Sequence, residues 1–267
     1  MQIKPPKHLS SYIRHYIFLE HSEYERKNLR LFTDGSTGLI LSGSRNLYAA
    51  VSNDQVPSSF FYGHPAGYKD FTTEGPFSMI AVVFQPYFFK ALLNISAKEL
   101  ENQIISAENV LKNELLSFQE DLLAGTDPES IIIKLNHFFT RFISGKINSD
   151  DQLIRAVQTF MLKNKGIVSS KELELFTGYS ERHLERKFKD YIGITPKKYG
   201  NIIRLHHFIN LMLMKENAEN ESTARLSYES GYSDQSHLIK DFKSSTGLTP
   251  NQYLKTEKLA VNFIQLR

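Results

Sequence analysis

No cysteine occurs among the 267 residues, which excludes disulfides and thiolate metal sites and leaves nothing to argue for secretion. The opening MQIKPPKHLSSYIRHY lacks the continuous apolar core that a signal peptide requires. The strongest apolar run, Met79 to Phe84, is far too short to span a bilayer, so a cytoplasmic protein with no membrane partner is expected. Catalytic patterns are equally scarce. His8, His15, His21 and His64 fall in the first half without an H-x-H pair or a Glu/His set at ligand spacing, so no metal and no cofactor is expected. The spacing of His15 and His21 suits an interface or a half-buried histidine as well as it suits a ligand. GHPAG at 63–67 reads as a turn, because a phosphate loop would need a Lys-Ser/Thr that is missing. Nothing resembles a nucleophile elbow or a paired-carboxylate site, and the chain reads as other than an enzyme.

What is present is enough chain for two domains of ordinary size, with the apolar and charged fractions of a globular protein. The net charge of +3 is unevenly shared. Residues 1–150 hold 14 Lys and Arg against 16 Asp and Glu, and the remainder holds 18 against 13, so the halves carry −2 and +5. Such an excess fits a solvated surface or an anionic partner.

Periodicity changes along the chain too. From Ser11 to Pro86, short apolar runs are broken by Gly35, Gly38, Gly43, Gly63, Gly67 and Gly75, the pattern of strands and turns in an antiparallel sheet or partial barrel. Beyond Pro86 the pattern is helical. Ser96 with Glu99 fits a capping box, Asp127-Pro128 an N-cap with proline in the first turn, and Gly145 the end of that helix. The polar GKINSDD at 145–151 marks a boundary, giving domains at 1–149 and 150–267. In the first of these, Leu111, Leu115, Phe118 and Leu122 repeat at heptad spacing, which suits either packing on the chain's own sheet or a homodimer contact.

The second half contains one sentence written twice. GYSERHLERKFKDYIGITPKKY (178–199) and GYSDQSHLIKDFKSSTGLTPNQY (231–253) share eleven identities over 22 aligned positions, once a single insertion shifts the offset from 53 to 54. Each copy reads as a capped helix ending on glycine, then a Thr-Pro start to the next helix. Ser169 with Glu172 opens a helix before the first copy, Gly178 closes it, and Ser180 caps the next, which gives a helix-turn-helix. Leu184/Phe188 and Leu238/Phe242 would bury one face of each later helix; Gly193 and Gly247 suit left-handed stops.

Removing the buried face leaves a chemistry on the other. Arg182, Glu185, Arg186 and Lys189 follow i, i+3, i+4, i+7 and share one exposed face; the second copy places Ser236, Ile239, Lys240 and Lys243 there, with Gln235 at the helix start. Arg and Lys donate to guanine, Gln pairs with adenine, and one helix fits the major groove. These nine residues are the candidate DNA-binding set. A helix from Pro196 to Lys215 would be about 30 Å long at 1.5 Å per residue, close to the roughly 34 Å between successive major grooves on one face of DNA.

Residues 150–255 resemble the DNA-binding domain of the AraC/XylS family of bacterial transcription regulators, in which two helix-turn-helix units are joined by a long helix. GYSDQSHLIKDFKSSTGLTPNQY is similar to the family's most diagnostic motif, and Arg204-Leu205 sits where its linker helix carries RL. Glu174 and Phe208 stand at usual alanine sites; Leu238 and Ile239 replace the commoner Phe and Ser, and Ile239 would suit a thymine methyl. The resemblance implies double-stranded DNA and the transcription machinery as partners. More weakly, PPKHLSSYIRHYIFLE and VVFQPYFFKALLNISAKEL resemble the sensor domains of such regulators, which implies a small-molecule effector or dimerisation. The expected fold is thus α+β, with an antiparallel sheet-plus-helix half and an all-α twin helix-turn-helix half. Two alternatives remain open: a ligand-gated interaction protein whose helical half has lost specific DNA binding, and a cupin-like enzyme fused to a DNA-binding domain. His206-His207 on the linker helix reads as a polar or DNA-facing surface.

Overall fold

In the computed structural model, the described residues are 1–43, 46–65, 67–111, 127–144, 151–215, 223–256 and 264–266. The first half forms two antiparallel sheets and no closed barrel. The larger contains β1 (Gln2–Ile3), β2 (Ile13–His21), β8 (Phe77–Phe84), β4 (Thr37–Ser42), β6 (Ser59–Tyr62) and β9 (Ile104–Ser106), in that order across the sheet. The smaller runs β10 (Ile264–Leu266), β3 (Arg26–Phe32), β7 (Tyr68–Glu74) and β5 (Leu47–Ala49). Strand β10 comes from the far end of the sequence and pairs with β3, Gln265 opposite Arg30.

Strand β8 explains why its sequence is a continuous apolar run. Its side chains alternate between two hydrophobic clusters: Ile80, Val82 and Phe84 enter one, and Phe77, Met79, Ala81 and Val83 the other. Buried on both faces from Met79 to Phe84, the strand has no side there on which polar residues would be tolerated; only Ser78, near its start, is exposed. One face is covered by α2 (Pro128–Ile143), whose Phe139 meets Phe84 edge to face at 5.7 Å, and Phe88 stacks on Phe84 at 3.6 Å. Asp127 caps α2 by accepting from the Ser130 N–H at 2.8 Å. The other face of β8 meets the smaller sheet through Leu29, Leu47 and Phe71.

The helix expected after Ser96 is a four-residue 3₁₀ turn, Ala97–Leu100, and Ser96 makes no side-chain cap. Only a few residues separate this turn from β9, too few to offset the cost of nucleating an α-helix. A short helix, α1 (Ala107–Leu111), follows β9. Of the heptad seam, Leu111 is described and buried, whereas Leu115, Phe118 and Leu122 lie outside the described residues, as do Gly145 and the proposed 149/150 boundary.

The second half is helical: α3 (Asp151–Lys163), α4 (Ser170–Thr177), α5 (Glu181–Tyr191), α6 (Pro196–Lys215), α7 (Thr223–Glu229), α8 (Gln235–Thr246) and α9 (Pro250–Leu254). Its apolar faces do not form a core of their own. Leu184, Phe188 and Tyr191 join the cluster that holds Phe84 and Phe139, while Leu238, Phe242 and Phe208 join the one that holds Phe60 and Phe71. The linker helix α6 supplies Tyr199 and Ile202 to the first, and Leu205, Phe208, Ile209 and Met212 to the second.

Candidate nucleic-acid interface

The first helix-turn-helix begins with a capping box. Ser169 Oγ accepts from the Glu172 N–H at 3.3 Å, and Glu172 accepts from the Ser169 N–H at 2.8 Å. Helix α4 ends on Gly178, whose φ of 74° is the left-handed stop. Ser180 then caps α5 through the His183 N–H. Glu174, at an uncommon position for an acid, accepts from the Glu181 N–H at 2.6 Å and so adds a carboxylate to the start of α5, where the helix dipole favours negative charge.

Leu184, Phe188 and Tyr191 bury one side of α5. On the opposite side Arg182, Arg186 and Lys189 are exposed and Glu185 half-buried, all four lining one shallow concavity with Ser180 and His183. His183 was not in the candidate set; its ring stacks on Tyr179 at 4.7 Å between centroids. The signal for it was in the sequence, because tyrosine and histidine recur in both copies.

The second unit repeats this with one change. Asp234 caps α8 by accepting from the His237 N–H at 2.8 Å, and it lies 54 residues after Ser180. The extra residue of the second copy therefore lies in the turn before the helix, and the helix itself keeps its register. Gln235, Ser236, Lys240 and Lys243 are exposed and Ile239 is half-buried, while Leu238, Phe242 and Thr246 face inward. None of Arg182, Arg186, Lys189, Lys240 and Lys243 is held in an ion pair with another described residue. All nine candidate residues thus lie on α5 or α8, and among the described residues no ion pair holds their basic members.

Helix α6 separates the two units with 20 residues, about 30 Å at 1.5 Å per residue. Its Arg204 lies over the Tyr232 ring at 4.3 Å and donates to the Gly231 carbonyl at 3.3 Å, tying the second turn to the linker. His206 does not face DNA. Its Nε2 lies 2.8 Å from the Thr33 carbonyl and its ring stacks on Phe32, so the sheet half takes up this side of α6; burial pushes the imidazole below its ordinary pKa. His207 is half-buried on the same helix and is also lowered by burial.

Both recognition helices end against the sheet half. A side chain at Gly193, where φ is 91°, would come within 2.7 Å of the Ala97 carbonyl oxygen. One at Gly247, where φ is 74°, would meet the Arg30 guanidinium and lie 2.6 Å from the Tyr68 ring. Arg30 pairs with Asp70 at 2.6 Å and donates to the Thr246 carbonyl at 3.1 Å. On the first unit, Lys90 pairs with Asp190 at 3.2 Å and Lys198 with Glu101 at 3.2 Å. Among the described residues no group of His, Asp or Glu is arranged to hold a metal ion, and no helix is long and apolar enough to cross a membrane.

Comparison with known proteins adds relatives for each half. A family described as a helix-turn-helix domain matches residues 176–256, and a domain of unknown function (DUF6597) matches residues 1–106. An uncharacterized HTH-type transcriptional regulator of Staphylococcus aureus (strain MSSA476) is 24% identical over 147 residues, covering 54% of this chain and 19% of the relative. The F1 operon positive regulatory protein of Yersinia pestis is 32% identical over 81 residues, 30% of this chain and 26% of that protein. The chain thus spans about a fifth to a quarter of the length of these curated relatives. Among solved structures, ToxT from Vibrio cholerae aligns with a TM-score of 0.48 at 14% identity, over 90% of this chain and 97% of that one.

Proposed function

We propose that this chain, which belongs to the AraC/XylS family of transcriptional regulators, is a sequence-specific regulator that lays α5 and α8 into adjacent major grooves of duplex DNA. One observation carries the reading. Two capped helices, each buried on one side and bearing on the other basic residues in no ion pair among the described residues, are joined by a single helix about as long as one DNA turn. Arg182, Glu185, Arg186 and Lys189 would read one block of sequence; Gln235, Ser236, Ile239, Lys240 and Lys243 would read another. Residues 1–149 would serve as a sensing or dimerising half that responds to a small-molecule effector, and 150–267 as the half that meets DNA and the transcription machinery. The helix-turn-helix family match at residues 176–256 and the HTH-type regulators among the relatives support a regulator.

Because the two faces differ, the site should consist of two unlike blocks whose centres lie about 10 base pairs apart. Sites selected from genomic fragments provide the probe. Inserting about five base pairs between the blocks turns the second groove away and should remove most of the specific affinity, unless the DNA twists or bends to compensate. Binding that survives the insertion, at a salt concentration where non-specific binding is weak, would show that one unit reads alone. A chain that binds no duplex at any salt would instead be an interaction protein with a helix-turn-helix scaffold.

A further inference from the structure

Between the larger sheet and the linker helix lies a cleft of about 480 Å³, within the range of small-molecule sites. It sits apart from both recognition faces. Arg14 of β2 and Asp34 of the β3–β4 turn form one wall, Lys165 after α3 forms the edge, and His207 and Asn210 of α6 form the other wall. Gln85 and Gln158 line it too, beside Leu162, Ile203 and Tyr199.

Charge defines what fits. Asp34 keeps its side chain only 8% exposed; burial works to raise its pKa, but Arg14 at 2.9 Å and the hydrogen bonds from Ser36 more than offset this and keep the carboxylate ionised. Arg14 and Asp34 therefore cancel. Lys165 has no carboxylate partner among the described residues and leaves one uncompensated positive charge at the edge. The histidines on the walls add none at neutral pH, since burial holds His15 down to about 4 and also lowers His206 and His207. His207 Nε2 is buried without a hydrogen-bond partner, a polar atom that a ligand could satisfy. One negative charge and several hydroxyl groups would match this lining; an alkyl tail would leave His207 Nε2 without a partner.

We infer that the cleft binds a small hydroxylated monocarboxylate, with its carboxylate on Lys165 and Arg14 and its hydroxyls on His207, Gln85 and Gln158. Such a ligand would bridge β2 to α6 and favour the arrangement in which the sheet half grips the linker helix. Its consequence for DNA rests on the regulator reading given above; the binding itself does not.

The test uses the full chain and calorimetric titration with lactate, glycerate, gluconate and glucuronate, with glucitol and octanoate as controls. At least one hydroxy acid should bind saturably at one per chain, while glucitol, which lacks the charge, and octanoate, which lacks the hydroxyls, should bind at least about tenfold more weakly. Lys165→Asn should weaken the acid by about tenfold or more, since asparagine tolerates the left-handed backbone at this position, where φ is 55°. His207→Gln should weaken it by about threefold to tenfold. An unchanged unfolding midpoint certifies each variant's fold. Failure of all four acids to bind, octanoate binding as tightly as the best of them, or Lys165→Asn binding like the parent would each overturn the inference. Selected DNA is titrated in parallel. DNA binding without acid binding would remove the cleft and leave the regulator; acid binding without DNA binding would do the reverse.

Discussion

Tyr179 and Tyr232 are the same letter of the repeated sentence, yet the first is 46% exposed and the second 2%. Tyr179 lies outside its unit, stacked on His183. Tyr232 is covered by Arg204 of the linker helix, and its hydroxyl donates to Asp241 at 2.8 Å. Burial, with Asp241 beside it, pushes this phenol well above its usual range. A duplicated motif therefore preserves the inside of a unit and leaves its outside to be set by the neighbours. The glycine stops teach the same. Gly178 and the equivalent Gly231 are both left-handed, with φ of 74° and 79°, but a side chain would meet nothing at Gly178 and would come within 2.6 Å of Ile167 at Gly231. The sheet half grips the second unit through a buried guanidinium and the first through ion pairs nearer the surface.

The largest test of this comparison concerns the conserved interiors. Phe188 and Phe242 are both fully buried, Phe188 at 6.1 Å from Tyr199 and Phe242 at 5.9 Å from Phe208. Truncating either to alanine should cost about 3–5 kcal/mol in denaturant unfolding. Because each belongs to a cluster shared with the sheets, a single transition should shift as a whole. If Phe242→Ala split the curve and left the sheet half at its parental midpoint, the shared clusters would not act as one core. The boundary at 149/150 would then separate two halves that fold independently.

Acid should distinguish the two grips. His64, 2% exposed, lies beside the Ile192 backbone at the end of α5, and burial pushes it down to about 4, with Asp34 opposing and Lys198 assisting. Above pH 6.5 neither folded nor unfolded chain binds its proton. Between 6.5 and about 4 the unfolded chain takes up the proton and the folded chain does not, so stability falls as pH falls through that window. The slope approaches about 1.4 kcal/mol per pH unit per histidine, for a loss of roughly 2–3 kcal/mol from this group. His15, also held down to about 4, adds to the same window. Arg30 at the end of α8 keeps its charge throughout. Amide exchange at Ile192 and Gly193 should therefore accelerate before exchange at Thr246 and Gly247, and His64→Gln should flatten the dependence. Equal acceleration at both helix ends would remove the distinction.

The repeat let the sequence place both helix-turn-helix units, their caps and the span of α6, because caps and stops are local and periodic. The sheet half was legible as strands, since β2 and β8 alternate or run apolar in recognisable ways. Strand order was not, because pairing β2 with β8 depends on contacts some sixty residues apart that no local signal encodes. Nor was the docking of α6. His206 is polar by type, and only the approach of Thr33 and Phe32 turns it inward. The faces that carry the nine candidate residues were legible because an exposed face is what remains once the buried one is known. The Lys165 cleft was not, because its walls come from β2, α3 and α6.

Arg186 and Lys240 stand at corresponding places on the two faces, both exposed. Alanine at either should weaken specific binding by about 1–3 kcal/mol and relax preference only within its own block, measured by competition at fixed salt. Relaxation in the same block for both would mean that the faces are not read separately.

The finest difference lies between Glu185 and Ile239, which also correspond and are both half-buried. A carboxylate can accept from cytosine, whereas a branched apolar side chain can only cover a surface such as the thymine methyl. If Ile239 does so, Ile239→Val, which removes a single carbon, should cost about 0.8 kcal/mol. Replacing that thymine by deoxyuridine removes the same contact from the other side and should cost the same. The decisive quantity is their combination. Two changes that delete one contact cannot each remove it, so the doubly altered complex should be no weaker than either single one. Simple addition of the two losses would place Ile239 against something other than the methyl group. A matching pair of experiments at Glu185, with 5-methylcytosine in place of cytosine, should show no such coupling, because its contact would be to the amino group.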